Sequence, residues 1–190
     1  MRQPLEEGYV TISRAAGTVT FPSQFMLVAA MNPSPDGKMP AESRSSPREI
    51  QKYLGRISGP LLDRIDLHIE VPPVKFREIT SEQPGEKSVG IRARVIVARK
   101  RQQERFKKRP KITCNARMST RDLKAHCALN ERTIELLKFA MDDLQLSARA
   151  YDRVLKVGRT IADLAGSEAI TSDHISEAIQ YRSLDREFWT

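Results

Sequence analysis

The 190-residue chain carries 32 basic and 24 acidic residues, a formal charge of +8, with 39% hydrophobic and 29% charged residues; this is ordinary globular composition, with room for one core or for one core and a small second domain. No apolar stretch approaches the roughly 18 residues of a membrane span, and the opening MRQPLEEG lacks the basic-then-apolar layout of a secretion signal, so a cytoplasmic protein without membrane contact is expected. Cys114 and Cys127 form no C-x-x-C pair, and His68, His126 and His174 are scattered, which leaves zinc or another metal and a disulfide framework unsupported and makes two reduced thiols the expectation.

In chain order, RQPLEEG reads as the last turns of a helix whose earlier part is missing, stopped at Gly8. Tyr9–Ile12 and Thr18–Phe21 alternate around Ala15-Ala16-Gly17, the pattern of a β-hairpin. Phe25 to Met31 is continuously apolar and is expected as a buried strand, ending at Asn32-Pro33, where proline cannot donate to a ladder. PSPDGKMPAESRSSP reads as an exposed loop. Ser46-Pro47 then opens a helix with Ile50, Tyr53, Leu54 and Ile57 at helical spacing. In LLDRIDLHIEV a short helical turn runs into a second apolar run, Leu67 to Val71, halted by Pro72-Pro73. Two buried strands separated by a helix predict parallel pairing and an α/β layer.

After a linker from Val74 to Lys87 the pattern is helical throughout. Helices are expected over Ser88–Lys108, Ser119–Cys127, Asn130–Leu144, Ser147–Ala165 and Thr171–Arg182, the fourth with Tyr151, Val154, Leu155, Gly158, Ile161, Ala162 and Ala165 on one face, the stripe of a bundle member. The fold class read from this order is mixed α/β, the end of an α/β core followed by a helical bundle, with divisions at 1–73, 74–118 and 119–190. Between Arg92 and Lys111 ten cations stand against one acid, Glu104. Such a block suits a polyanion such as nucleic acid or nucleotide phosphate, and it equally suits a solvated helix face. Aromatics do not interleave with it, which argues against a base-stacking surface; Phe188 and Trp189 read better as a docking anchor.

A strand that ends in Asn, a second strand preceded by Arg and a helical lid make physical sense together in nucleotide hydrolysis. Ligands of open α/β sheets sit at the carboxyl ends of strands. An amide there can hold an attacking water near a γ-phosphate, and an arginine can neutralise charge that develops in the transition state. Asn32 and Arg64 fit those two tasks. The strings RQPLEEG, FPSQFMLVAAMNP, RISGPLLDRIDLHIEV, LSARAYDRVLKVGRTIADLAG and ISEAIQYR, in this order and over nearly the whole chain, resemble the magnesium-chelatase-like AAA+ ATPases of the competence-protein M type.

The resemblance implies that Asn32 is the sensor 1 asparagine, that Arg64 is an arginine finger reaching a neighbouring subunit's site, and that Arg149 is the sensor 2 arginine of the lid, with Arg153 one turn on as its competitor. Residues 9–22 would be the hairpin that faces the ring pore. It further implies ATP and magnesium in the full-length protein, a ring of copies of the chain, a hexamer, and DNA remodelling such as helicase or branch-migration work, with Lys100, Arg101, Lys107, Lys108 and Arg14 as candidate DNA contacts. The chain departs from the pattern in two ways. No G-x-x-x-x-G-K-[ST] and no strand ending in paired acids occurs, so this segment reads as the C-terminal part of a longer protein that alone should not turn over ATP. Relatives of this type also carry cysteines after the Asn-Pro, where this chain has none, so a metal or redox role for the loop is not implied. Two rivals stand beside this reading: a chelatase motor subunit acting on a partner protein, and a non-enzymatic helical DNA-binding module.

Overall fold

The computed structural model describes residues 2–74, 85–109 and 111–182, which fall into two compact units, 2–65 and 66–182. The predicted linker from Val74 to Lys87 lies largely outside the described residues, as do Phe188 and Trp189.

The first unit begins with helix α1 (Arg2–Glu7), closed at Gly8, whose N–H donates to the Pro4 carbonyl at 3.2 Å. Strands β1 (Tyr9–Arg14) and β2 (Gly17–Pro22) pair antiparallel with Val10 opposite Phe21, Thr11 opposite Thr20 and Ile12 opposite Val19. Alternation therefore puts Val10, Ile12, Val19 and Phe21 on one face. The other carries a hydroxyl ladder, Thr11 to Thr20 at 3.1 Å and Ser13 to Thr18 at 2.9 Å. Helix α2 (Pro47–Leu54) starts as the Ser-Pro pair predicts. Ser46 caps it, and Glu49 three residues on returns a contact to the Ser46 N–H at 2.8 Å, a complete capping box. Helix α3 (Gly59–Leu62) is the short turn that precedes Arg64.

The mixed α/β class holds, but the two expected buried strands do not form. Among the described residues the hairpin is the sheet, and neither 25–31 nor 67–71 joins a ladder. Both runs are largely exposed, with Met26 at 86%, Val28 at 81% and Val71 at 80%. A strand owes its existence to a neighbour that accepts its backbone bonds and covers its faces, and β-propensity alone supplies neither. The parallel pairing expected from the helix between them is accordingly absent here as well.

The second unit is helical. Helix α4 (Ser88–Arg105) is followed by a 3₁₀ turn (Asn115–Arg117) and by α5 (Thr120–His126), α6 (Glu131–Asp143), α7 (Ala148–Leu164) and α8 (Ser172–Gln180). The residues expected to open the last four, Ser119, Asn130, Ser147 and Thr171, are their N-caps. Phe106, Met118, Leu123, Leu137, Val154, Leu155, Ala162, Ile170, Ile175 and Ala178 form one core. At Gly158 a β-carbon would lie 2.8 Å from Ile175 Cδ1, so α7 and α8 approach as closely as they do because no side chain intervenes. The Asp66–Val74 stretch belongs to this unit: His68 is buried and its N–H donates to the Tyr181 carbonyl at 2.8 Å.

Helix α4 is shorter than expected. It ends at Arg105 because Phe106 turns into the core, where its ring meets His126 edge-on at 5.7 Å. Burial, reinforced by the Arg105 and Arg109 cations against the opposing pull of Asp122, holds the His126 pKa below its ordinary value. The folded state then binds a proton less readily than the unfolded chain, so this contribution is complete above the ordinary histidine range near about 6.5 and is lost as pH falls through the lower folded value. Urea unfolding should show stability falling from pH 7 toward pH 5, and His126→Gln should flatten that slope. An identical slope in the variant would remove His126 as its source.

Candidate functional site

Asn32 lies on the surface of the first unit, where the apolar run meets the loop. The loop is ordered by a carboxylate. Asp36 accepts from Ser34 Oγ at 2.6 Å and Ser43 Oγ at 2.7 Å through Oδ1, and from the Arg44 N–H at 3.0 Å through Oδ2. Those donors, Ser34 first, hold the Asp36 pKa far below the usual carboxylate range.

Arg64 follows α3 with its side chain only 8% exposed. One terminal nitrogen donates to Glu6 Oε2 at 2.9 Å and the other to the Pro60 carbonyl. Its buried Nε has no hydrogen-bond partner among the described residues. The ion-pair partner, Glu6, lies 58 residues away, where no local spacing could reveal it.

In the second unit Arg149 is exposed in the first turn of α7. Arg153, one turn on, is paired with Asp66. The two competing arginines thus differ in setting: Arg149 is exposed, and Arg153 is tied to the segment that enters this unit.

The basic block divides in the same way. Lys100, Arg101, Lys107 and Lys108 are exposed, with Lys107 in a solvated pair with Glu104 at 3.3 Å, an arrangement worth little. Arg14, at the end of β1, is also exposed. Arg105 is not a surface charge. It donates to Asp163 Oδ2 at 2.7 Å and to Asn115 Oδ1 at 2.9 Å, and Asn115 in turn donates to Thr160 Oγ1 at 3.1 Å and Asp163 Oδ2 at 2.9 Å. Arg159, buried on α7, donates to the carbonyls of Glu168 at 2.6 Å and Ser167 at 2.7 Å, with Nε 3.3 Å from Asp163 Oδ1. Burial pushes the Asp163 pKa up, but the hydrogen bonds from Arg105 and Asn115 and the two guanidinium charges outweigh it and leave it below the ordinary value. Apolar periodicity missed this network because Arg159 and Asp163 occupy core positions as charges; the signal was a pair spaced i,i+4 on the stripe face.

Taken singly, the exposed Asn32 in the first unit and the exposed Arg149 in the second carry groups that can meet an anion such as a triphosphate. Magnesium requires several oxygen ligands, and among the described residues no three His, Cys, Asp or Glu side chains converge. No described helix is long and apolar enough to cross a membrane. The apolar groove lined by Leu129, Ile134, Leu137, Lys138, Met141 and Tyr151 contains none of the candidate residues.

Comparison with known proteins bears on both units. The family described as magnesium chelatase, subunit ChlI, matches residues 1–79, and the one described as magnesium chelatase, subunit ChlI C-terminal, matches residues 85–182. The chain is 45% identical over 189 residues to "Competence protein ComM" of Haemophilus influenzae, covering 98% of this chain and 36% of that protein. It is 41% identical over 188 residues to "Uncharacterized protein YifB" of Escherichia coli, and 32% identical over 183 residues to "Uncharacterized protein Rv2897c" of Mycobacterium tuberculosis, covering 98% and 96% of this chain and 36% of each relative. The chain therefore spans little more than a third of the length of these curated relatives. With both of its units matched in order, the chain belongs to the magnesium chelatase ChlI family.

Proposed function

We propose that this chain is the C-terminal segment of a ring-forming AAA+ ATPase, a hexamer in its full-length form, that uses ATP and magnesium to remodel DNA. In this reading Asn32 orients the water that attacks the γ-phosphate, Arg64 stabilises charge developing on the nucleotide held by a neighbouring subunit, and Arg149 contacts bound ATP from the lid. The phosphate-cradling loop and the magnesium-binding acids would come from the part of the full-length protein that the relatives possess and this chain does not span. The observation that carries the reading is the order of these residues within two consecutive matches to one family, with Asn32 following an apolar run, Arg64 following α3, and Arg149 in the first turn of the lid's central helix.

DNA as the substrate is supported by the exposed cations of α4 and of the turn that follows it. Each phosphate neutralised steepens the dependence of log affinity on log salt by about 0.9 for duplex and about 0.7 for single strands. Replacing Lys100, Arg101, Lys107 and Lys108 by Gln in the full-length protein should reduce the slope by up to about 3 to 4 units and weaken binding to all sequences alike, with thermal stability little changed. An unchanged slope would remove these four cations as the contact and leave the hairpin end at Arg14. The family description favours one second reading, a chelatase motor whose substrate is a partner protein. Co-elution with such a partner and absence of salt-sensitive DNA binding would select it; binding that ATP does not affect would select the non-enzymatic module.

A further inference from the structure

We infer that Asp36 is a positioning residue for Asn32, holding the turn that borders the asparagine amide. The inference rests on the reading of Asn32 as the group that orients the attacking water. An exposed asparagine rotates broadly about its last torsion, and a water held by a rotating amide is poorly placed; fixing that amide beforehand is what a catalytic arrangement needs.

The loop supplies the constraint. The Gly37 N–H donates to the Ser34 carbonyl at 3.1 Å, folding the chain back on itself directly after Asn32-Pro33. Gly37 has φ of +78°, a conformation open to glycine, and the place a β-carbon would take there lies 3.6 Å from Asn32 Nδ2 and 3.8 Å from its Cγ. Gly37 thus borders one side of the amide, with room for about one methyl group between them. Asp36, its neighbour, pins that turn from three directions: Ser34, fully buried, whose single hydroxyl hydrogen is shared with the Lys38 carbonyl, also at 2.6 Å; Ser43; and the Arg44 N–H. Ser43 Oγ in turn accepts the Ser45 N–H at 3.1 Å, and Ser46 is already the cap of α2. A single carboxylate therefore ties the Asn32 turn to the N-terminus of a helix. A carboxylate is the suitable group, since all three partners donate and it alone accepts everywhere without presenting a hydrogen.

The test is a double-mutant cycle in the full-length protein, reading ATP turnover and equilibrium ATP binding for Asn32→Ala, Asp36→Ala and the double variant. Asp36→Ala should lower kcat by about ten- to a hundred-fold, the cost of a misplaced reacting group, with ATP affinity changed by less than about two-fold. The double variant should be no slower than Asn32→Ala alone, because the two act through one group. Asp36→Asn, which keeps one acceptor and turns a donor toward the Arg44 N–H, should lie between wild type and alanine; it replaces Asp36→Ala in the cycle if the alanine variant does not fold. Wild-type turnover in the Asp36 variants, or losses that multiply in the double variant, would overturn the inference. Full activity of Asn32→Ala would instead overturn the reading of Asn32 on which it rests.

Discussion

Arg64→Ala in the full-length protein should abolish ATP hydrolysis while ATP binding stays nearly intact. A guanidinium that acts on charge developing only in the transition state contributes to rate and not to ground-state affinity, and groups of this kind are worth on the order of 10³ to 10⁵ in turnover. Because the finger would serve the neighbouring subunit's nucleotide, mixing Arg64→Ala with a variant defective in the phosphate-binding loop should restore activity at mixed interfaces. The structure adds a competing expectation. Arg64 is paired with Glu6 and its side chain is nearly buried, so it could instead brace α1 against the turn after α3. Glu6 is about a third exposed, and a partly solvated pair offers little resistance to exchange for a phosphate. The measurements separate the two roles: loss of turnover with unchanged stability and affinity marks the finger, whereas a fall in melting temperature with wild-type turnover marks a brace.

What the sequence made legible follows the physics of each signal. Helix boundaries in the second unit were readable because an N-cap is a local requirement: Ser119, Asn130 and Ser147 each accept a backbone N–H three residues on, and the residue that can do so stands at the boundary itself. The hairpin was readable for the same reason, from alternation and a tight turn. Burial of 25–31 and 67–71 was not, since an apolar run states what a segment prefers and not whether a neighbouring strand is present to meet it. Helix α4 shows the same limit: Ala98 is buried, but Ile91 and Val95, apolar as they are, remain 44% and 45% exposed. Of the candidate site, Asn32 and Arg64 were singled out by strand-end chemistry together with motif order, and Arg149 by motif order alone. Their surroundings were not: Glu6 meets Arg64 from 58 residues away, and the Asp36 loop beside Asn32 is built from irregular short-range contacts two to eight residues apart, which no periodicity encodes.

Asp163→Ala should destabilise the second unit by about 3–5 kcal/mol, the usual cost of removing one partner from a buried ion pair. The carboxylate is 1% exposed and stands between Arg105, 15% exposed, and Arg159, 4% exposed. Its removal leaves two guanidinium groups facing each other with their common counter-charge gone, and strips Asn115 of one acceptor. Asp163→Asn keeps the shape and one acceptor and should cost less, and Arg105→Met together with Asp163→Leu should recover much of the loss, since an apolar pair leaves one fewer buried cation without a partner. Urea unfolding followed by circular dichroism measures each; a change below about 1 kcal/mol for Asp163→Ala would show that water reaches the network and the burial argument fails. The network also joins two candidate functional elements. Arg105 is the last residue of basic helix α4, and Asp163 lies at the far end of α7, whose first turn carries Arg149. Within this unit, rigid attachment of α4 to α7 through buried charge is what would let phosphate contacts on one helix bear on the arginine of the other. On the proposed function, with DNA on α4 raising ATP turnover in the full-length protein, Asp163→Asn should reduce that stimulation more than it reduces DNA affinity, and equal reductions in both would show that the two helices act separately.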